Sequence, residues 1–527
     1  METLYENGTI ITMEEDHREV EAIVINDDKI VALGSKEEME AQYPNATRVD
    51  LKKKTMMPAF LDAHSHFTGV ANSLRLCDLS AVTSFPQLVS CMKEFAKKHG
   101  LSSTDWIIGT NYDHNFMEEK KHPDASVLNQ ISMCNPVYIT HASSHMGVAN
   151  DQALQCAGID LYSEDPKGGK YGRYDDGRLN GYMEESAFLA FQSHVSKPSI
   201  QQFLDLYKEA QQIYASYGIT TVQEGFTPSS LFQLLMAASK QDTFYLDVIA
   251  YLDAKEHQAS AFPQYQQYQQ HLRIGGYKTF LDGSPQGRTA WMQEPYEDSD
   301  SYCGYPSLTD EELDQCIEQC IDEKQQLLVH CNGDAAAKQY LDAFERVMGH
   351  HPNESTYKPV MIHAQFVKEE ELKRMKALDM LPSFFVAHTW YWGDIHIQNF
   401  GLQRANRMSS VQTAKQLGLP YTFHNDSPVI LPNVMKTIWC AVNRETKNHV
   451  SVGKDQAVSV WDALRAVTIH TAYQYSEDAR KGSFKVGKQA DFIILDENPL
   501  TIDKQLLDRI QVLKTYKDGQ CIFDREG

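Results

Sequence analysis

Short apolar runs separated by amphipathic stretches dominate the middle of this 527-residue chain. YGITTVQEG, LDVIAYL, GGYKTFLDG, QQLLVHCNGD, KPVMIHAQ and LPYTFHND each read as a brief buried strand. Between them, SSLFQLLMAASK, TDEELDQCIEQCIDEKQ and KEEELKRMKALD carry helical periodicity, with Cys316 and Cys320 on one core-facing side. The alternation predicts a parallel α/β architecture, most economically a (β/α)8 TIM-like barrel. The chain ends have a different texture. YENGTIITM, EAIVINDDKIVALG and TRVDLKKKTMMPAF alternate like short strands, with Asn-Gly and Asp-Asp turn signals. GSFKVGKQADFIILDENPL and IQVLKTYKDGQCIF repeat that texture near the C-terminus. The ends are therefore expected to pair as a small β-sandwich, residues 1–57 with 471–527, around a barrel at 58–470. Residues 68–200 interrupt the barrel and are expected to form an inserted lid, with a hairpin turning at Asp176-Gly177. The Gln/Tyr-rich stretch at 264–271 reads as an exposed helix.

Polar residues close the apolar runs, and in a parallel barrel such positions converge on one rim. His64 and His66 in PAFLDAHSHF are two apart, so a strand presents both imidazoles to one face as a metal-binding pair, with Asp62 orienting one of them. His330 in LLVHCNGD and His363 in VMIHAQ reach the same rim, either as ligands of a second metal or as buried histidines bonded to backbone. His141 and His145 in THASSHMGVAN are four apart on a possible helix, and read as ligands, as a structural pair, or with His145 facing substrate. Lys278 in YKTFLDG poses an electrostatic problem, because an ammonium beside dications is repelled and poorly solvated. Either it points away, or it pairs with a carboxylate such as Asp282, or it carries a carbamate formed with carbon dioxide. Asp426 in FHNDSPV suits a metal ligand that also accepts and returns a proton. The alternative is a helix cap, and Pro428 already supplies a helix start.

Composition narrows the function classes. A net charge of −22 repels polyanions, which argues against nucleic acid and anionic membrane partners and leaves a small molecule as the expected substrate. No apolar stretch approaches the roughly 20 residues that cross a bilayer. The first twenty residues alternate like a strand and lack the basic and apolar regions of a signal peptide. Ten cysteines without a CxxC pair fit reduced thiols and a cytoplasmic location.

The chain resembles the metal-dependent amidohydrolase superfamily, and within it amidohydrolase family 3, the YtcJ-like group that includes N-substituted formamide deformylases. The resemblance rests on NGTIITM, PAFLDAHSHF, GITTVQEG, KTFLDGSPQGRTA, VHCNGDAA, IHAQ, HNDSPV and KVGKQADFIILDENPL, and PSFFVAHTWYWGDIH matches the deformylase-like branch. It implies a barrel with a split sandwich, one or two divalent ions (zinc foremost), and hydrolysis of a carbon–nitrogen bond. It further implies that Lys278 is a carboxylated lysine bridging the metals, and that Arg288, His388, Trp390 and Asp394 approach the substrate. His145 and Glu185 would contribute from the insertion, and the superfamily's common homodimer is the expected assembly. SPQGRTA in place of SLGSRTA, and THASSHMGVAN without the usual glycine, leave the substrate open. The aromatic run Phe384, Phe385, Trp390, Tyr391 and Trp392 reads equally as an apolar pocket or as core. A lactonase or esterase on the same site is the alternative chemistry, and a non-catalytic scaffold of the same fold is the alternative of another class.

Overall fold

In the computed structural model, which describes residues 2–14, 19–143, 145–195, 198–256 and 259–526, eight strands pair in chain order, each parallel to the next. They are β1 (Phe60–Leu61), β2 (Ile219–Thr227), β3 (Asp247–Asp253), β4 (Leu272–Phe280), β5 (Gln326–Cys331), β6 (Val360–His363), β7 (Leu381–Phe384) and β8 (Thr422–Phe423). The edge strands β1 and β8 are joined just beyond their ends. His66 N–H donates to the Ser427 carbonyl (2.8 Å) and Asp426 N–H to the His64 carbonyl (3.2 Å), which brings the two edges of the sheet together at the TIM-like rim. Inside, Leu61, Ile249, Tyr251, Leu328, Val360, Ile362 and Leu381 form one apolar cluster. The helix Asp310–Asp322 shows how a crossover docks: Thr309 and Glu312 cap its first turn reciprocally, and Leu313, Cys316, Ile317, Cys320 and Ile321 are buried. The glutamine-rich stretch departs from its expected helix. Its first part is a single 3-10 turn, Pro263–Gln266, because Gln269 and Leu272 bond to each other as an isolated bridge and draw the chain into β4.

Both chain ends enter one sheet. Strands Glu2–Ile11, Glu19–Asn26, Lys29–Gly34, Thr55–Pro58, Phe492–Leu495, Val512–Lys517 and Gln520–Asp524 are continuous in hydrogen bonding, with Thr47–Asp50 branching from the first. Thr55–Pro58 runs antiparallel to Phe492–Leu495 and joins the two ends. The Asp27-Asp28 turn falls where the sequence signals it. Asn7-Gly8 does not turn the chain; it lies inside one ten-residue strand, at a register shift between Glu6 and Ile10. A Cβ on Gly8 would lie 2.4 Å from the Lys54 carbonyl oxygen, so this close approach requires glycine.

A buried ionic network ties this sheet to the barrel. Asp247, at the start of β3, pairs with Lys481 and with Lys517 (3.3 Å), and Lys481 also reaches Glu477 (2.9 Å), which binds Arg273 of β4 (2.9 Å). Burial opposes ionisation of Asp247, but the two lysines overcome it and hold the carboxyl well below its usual range.

Residues 71–206 form a second compact unit, where the sequence placed an insertion at 68–200. Its sheet has the order Gly169–Arg173, Leu179–Glu185, Met146–Ala149, Val137–His141, Ile107–Tyr112, Leu76–Asp78. The expected hairpin is present, with Gly177 at φ 86°. His141 ends one strand of an antiparallel pair and His145 stands just before the other, Met146–Ala149, so neither lies on a helix. Among the described residues no helix is long and apolar enough to cross a membrane.

Removing one partner of a buried ion pair leaves an uncompensated charge, at a cost of about 3–5 kcal/mol. Asp247→Asn is expected to lower stability by that order in denaturant unfolding, and a cost under about 1 kcal/mol would show that the network does not anchor the sheet.

Candidate metal centre

Five histidines, one lysine and one carboxylate meet at the C-terminal ends of the barrel strands. His64 and His66 follow β1, Lys278 lies in β4, His330 in β5, His363 ends β6, and His424 and Asp426 follow β8. Asp426 Oδ1 lies 3.4 Å from His64 Nε2 and 3.3 Å from His66 Nε2, and these three donor atoms fall within 4.8 Å of one another. Two ligands of a tetrahedral zinc ion, each about 2.0–2.1 Å from it, stand about 3.3 Å apart, so the spacing fits a bound cation. Asp426 Oδ1 is buried with no aligned hydrogen-bond donor, an unmet acceptor that suits a cation.

The orientation of His64 is set by neighbours. Gln223 Nε2 donates to the Ala63 carbonyl (2.8 Å) and the Tyr475 hydroxyl (2.9 Å), which leaves Oε1 to accept from His64 Nδ1 (2.6 Å). The proton on Nδ1 frees the Nε2 lone pair to face Asp426. Gly225 lets this ring sit where it does, since a Cβ there would lie 2.5 Å from His64 Cε1. Asp62, expected to orient a histidine ring, instead accepts the backbone N–H of His64 (3.4 Å), and burial pushes its carboxyl up to about 6. The orienting group is an amide from the GITTVQEG strand. Next to it, buried Glu224 accepts from Thr68 N–H (2.6 Å) and faces His66 Nδ1 at 3.9 Å.

His330 and His363 lie in the same cluster, but their nitrogens face each other. His330 Nδ1 is 3.0 Å from His363 Nε2, His363 Nδ1 is 3.1 Å from His424 Nε2, and His424 Nδ1 is 2.9 Å from Ser383 Oγ. Sequence reasoning missed His424, although it stands two residues before Asp426 as His64 stands before His66. His363 and Asp426 adopt positive φ of 73° and 52°, backbone strain worth about 1–3 kcal/mol each that their surroundings must hold.

Burial sets the charge of most of the group; His66 is the exception, since burial opposes its protonation but the Asp426 contact outweighs it and raises the ring above the usual histidine range. Burial holds His64 and His363 well below the usual histidine range and lowers His330 to about 4 and His424 to about 3, so these rings are neutral donors at pH 7. Lys278 is fully buried and points inward, with Nζ 3.4 Å from His64 Nε2. Burial lowers its amine from 10.5 to about 7 although Asp426 pulls the other way. Asp282 has other partners: its oxygens accept the backbone N–H groups of Trp291, Asn332 and Gly333. Asp426 stays well below the usual carboxylate range; burial opposes this, and the His66 contact and the surrounding histidines outweigh it. Pro428 begins no helix: the next one is Val434–Asn443, capped by Asn433, so Asp426 is not its cap.

Family matching brings these observations together. The model of the amidohydrolase family (Amidohydro_3) matches residues 47–523. The chain belongs to the amidohydrolase family. Within that family it is 26% identical to the putative amidohydrolase YtcJ of Bacillus subtilis (strain 168) over the full length of both chains. It is 23% identical to the N-substituted formamide deformylase of Arthrobacter pascens, over 99% of this chain and 98% of that one. The crystal structure of an uncharacterized metal-dependent hydrolase from Pyrococcus furiosus has the same fold, with a TM-score of 0.78 and 24% identity over 95% of this chain and all of that one.

The remaining family-implied residues differ in their surroundings. His388 is buried against Phe385 (ring centroids 4.5 Å), bonds His396 through Nδ1 (2.9 Å), and feels the charges of Asp426, His424 and His330. Phe385 also packs on His424 (5.2 Å) and His363 (6.1 Å). Trp390 stands edge-on to Trp439 with Lys436 Nζ 3.8 Å from its ring centroid. Asp394 accepts from Thr446 Oγ1 (2.8 Å), and Arg288 holds Asn399 and Asp298 (2.9 Å each). His145 and Glu185 belong to the second unit, where they face each other at 3.3 Å and both are exposed.

The buried amine of Lys278 has a consequence for stability. Its folded value, about 7, lies below the ordinary 10.5, so the unfolded chain binds the extra proton between those pH values and stability rises across them. The penalty is full below about pH 7 and gone above about 10.5. In metal-free protein and CO2-free buffer, Lys278→Met is expected to unfold at higher denaturant than wild type at pH 6, with the advantage fading as pH rises. An advantage that does not change with pH would show that the amine is not buried as a charge-excluding group.

Proposed function

We propose that this protein hydrolyses the carbon–nitrogen bond of a small amide, N-formyl compounds foremost, with the help of a divalent metal, zinc foremost. His64, His66 and Asp426 would hold the ion, with Lys278, His330 and His363 completing a set for one or two ions. The observation that carries this reading is the triangle of His64 Nε2, His66 Nε2 and Asp426 Oδ1, with edges from Asp426 of 3.4 and 3.3 Å, beside a buried lysine. The bound ion supplies a Lewis acid and lowers the pKa of water. Asp426, held ionised, accepts the proton of the attacking water and returns it to the departing amine nitrogen. Gln223 keeps the His64 ring in register throughout. Lys278, with a substantial neutral fraction near pH 7, adds its nitrogen lone pair to carbon dioxide and loses a proton, so that a carbamate replaces a cation with an anion.

Phe385 and His388 form a wall beside the histidines that suits an apolar amine substituent, and Arg288 stands as a further substrate contact. The deformylase relative is named for N-substituted formamides, which supports starting with the formyl group. The free thiols of the ten cysteines suit a cytoplasmic enzyme.

The test is amine release by zinc-loaded protein from matched N-formyl, N-acetyl and longer N-acyl derivatives of benzylamine and an alkylamine, with a chelated control and ester counterparts. Chelator-sensitive release confined to the formyl compounds is expected. Release from esters alone would replace the amide reading with the esterase. Asp426→Asn is expected to lower turnover about 10²–10⁴-fold, the usual weight of a general acid–base group, and near-normal turnover would remove Asp426 from that role.

A further inference from the structure

The second unit holds a histidine cluster of its own. Strands Ile107–Tyr112 and Val137–His141 run parallel, with Tyr112 opposite His141, after a register shift beyond Gly109 that coincides with positive φ (65°) at Asn111. That kink brings Asp113 and His114, the two residues that follow one strand, beside His141 at the end of its neighbour. Polar groups at the C-terminal ends of adjacent parallel strands are where such sheets place ligand sites.

The donor atoms form a compact triangle. His114 Nδ1 is 3.2 Å from His141 Nε2, His141 Nε2 is 3.5 Å from Asp113 Oδ1, and His114 Nδ1 is 3.8 Å from that oxygen. Tetrahedral zinc ligands stand about 3.3 Å apart, which these spacings approach. The supports are in place around them. Ser143 N–H donates to His141 Nδ1 (3.0 Å) and Ser143 Oγ lies 2.9 Å from the same nitrogen, so an ion at Nε2 requires the ring proton to move from Nε2 to Nδ1, where Ser143 Oγ accepts it. Asn115 donates to Asp113 Oδ1 from its backbone (2.9 Å) and its side chain (3.0 Å). His122 packs tilted against His114, ring centroids 3.9 Å apart, with its Nδ1 tied to the Tyr112 hydroxyl at 3.0 Å.

The charge balance also suits a cation. Burial and the neighbouring rings lower His122 to about 4, and burial lowers His141 as well, so both are neutral near pH 7. Burial is the largest single influence on Asp113 and opposes ionisation, but the Asn115 hydrogen bonds and the histidines together outweigh it and lower the carboxyl. Imidazole and carboxylate together select borderline divalent ions such as zinc over calcium or magnesium.

We propose that Asp113, His114 and His141 form a second divalent-metal site of the zinc class, contained within residues 71–206 and assembled independently of the barrel cluster. Three protein ligands leave a fourth position for water or an added ligand. His141 is mostly buried, whereas the side chains of Asp113 and His114 are about a quarter exposed, so the ion has an entry path.

The experiment uses the full chain, stripped with chelator and titrated with Zn²⁺, with bound metal counted by elemental analysis, and Co²⁺ absorption as a second readout. His64→Ala/His66→Ala/His330→Ala/His363→Ala removes the barrel histidines proposed as ligands, and this variant is expected to retain one equivalent of tightly held metal. Adding His114→Ala and His141→Ala is expected to abolish that equivalent and the matching cobalt bands. His114→Gln, at a partly exposed position, gives the same test with less risk to folding, which circular dichroism checks. Absence of the retained equivalent in the barrel variant would overturn the proposal, as would its persistence after His114 and His141 are replaced. Neither result depends on hydrolytic activity, so failure here and failure of the proposed hydrolysis are separable.

Discussion

The buried amine of Lys278, 3.4 Å from His64 Nε2, is the constraint on which the rest of the barrel site depends. An amine without water cannot carry its charge cheaply, and of the imidazoles packed around it only His66, beside Asp426, is favoured as a cation. The cluster is therefore mostly neutral donors around one anionic carboxylate, Asp426. Such an arrangement is poor as a salt bridge and good as a cradle for a cation. The same desolvation that lowers the amine and the histidines makes the groups available to coordinate or to react.

Holding that cluster requires rigidity, and the fold supplies it from two directions. At the rim, backbone hydrogen bonds join the ends of β1 and β8, and they pass through His64, His66, Asp426 and Ser427, so the closing contacts and the site are the same residues. Gln223 and Gly225 from β2 then fix the His64 ring, one by a hydrogen bond and the other by leaving space. Elsewhere in the barrel, Asp247, Lys481, Lys517 and Glu477 couple β3 to the terminal sheet. The positive φ angles at His363 and Asp426 persist because both ends of this framework hold them.

Much of this was legible in the chain. Period-two spacing announced His64 and His66, apolar runs announced the strands carrying Lys278, His330 and His363, and Asp27-Asp28 and Asp176-Gly177 marked real turns. What escaped notice had weaker local signals. His424 stands two residues before Asp426, the spacing of His64 and His66, yet a His-x-Asp pair draws less notice than a His-x-His pair. Gln223 acts through an amide, a group with no charge to attract attention. Asn7-Gly8 has turn chemistry but sits at a bulge, because the strand continues with a shifted register against its partner.

The sequence by itself determined the parallel α/β class, the family, and the residue types that reach the barrel rim, because strand periodicity and apolar runs are local properties. Only the tertiary structure decided which donors face one another. It set His64, His66 and Asp426 into one triangle, turned His330 and His363 toward each other, and tied Asp394 and Trp390 to Thr446 and Trp439. It also brought Asp113 and His114 against His141, 27 residues after His114, through a kink that no local pattern announces. The reason is physical: the direction of a side chain follows from register, backbone dihedrals and neighbours distant in sequence, and a linear pattern carries none of these.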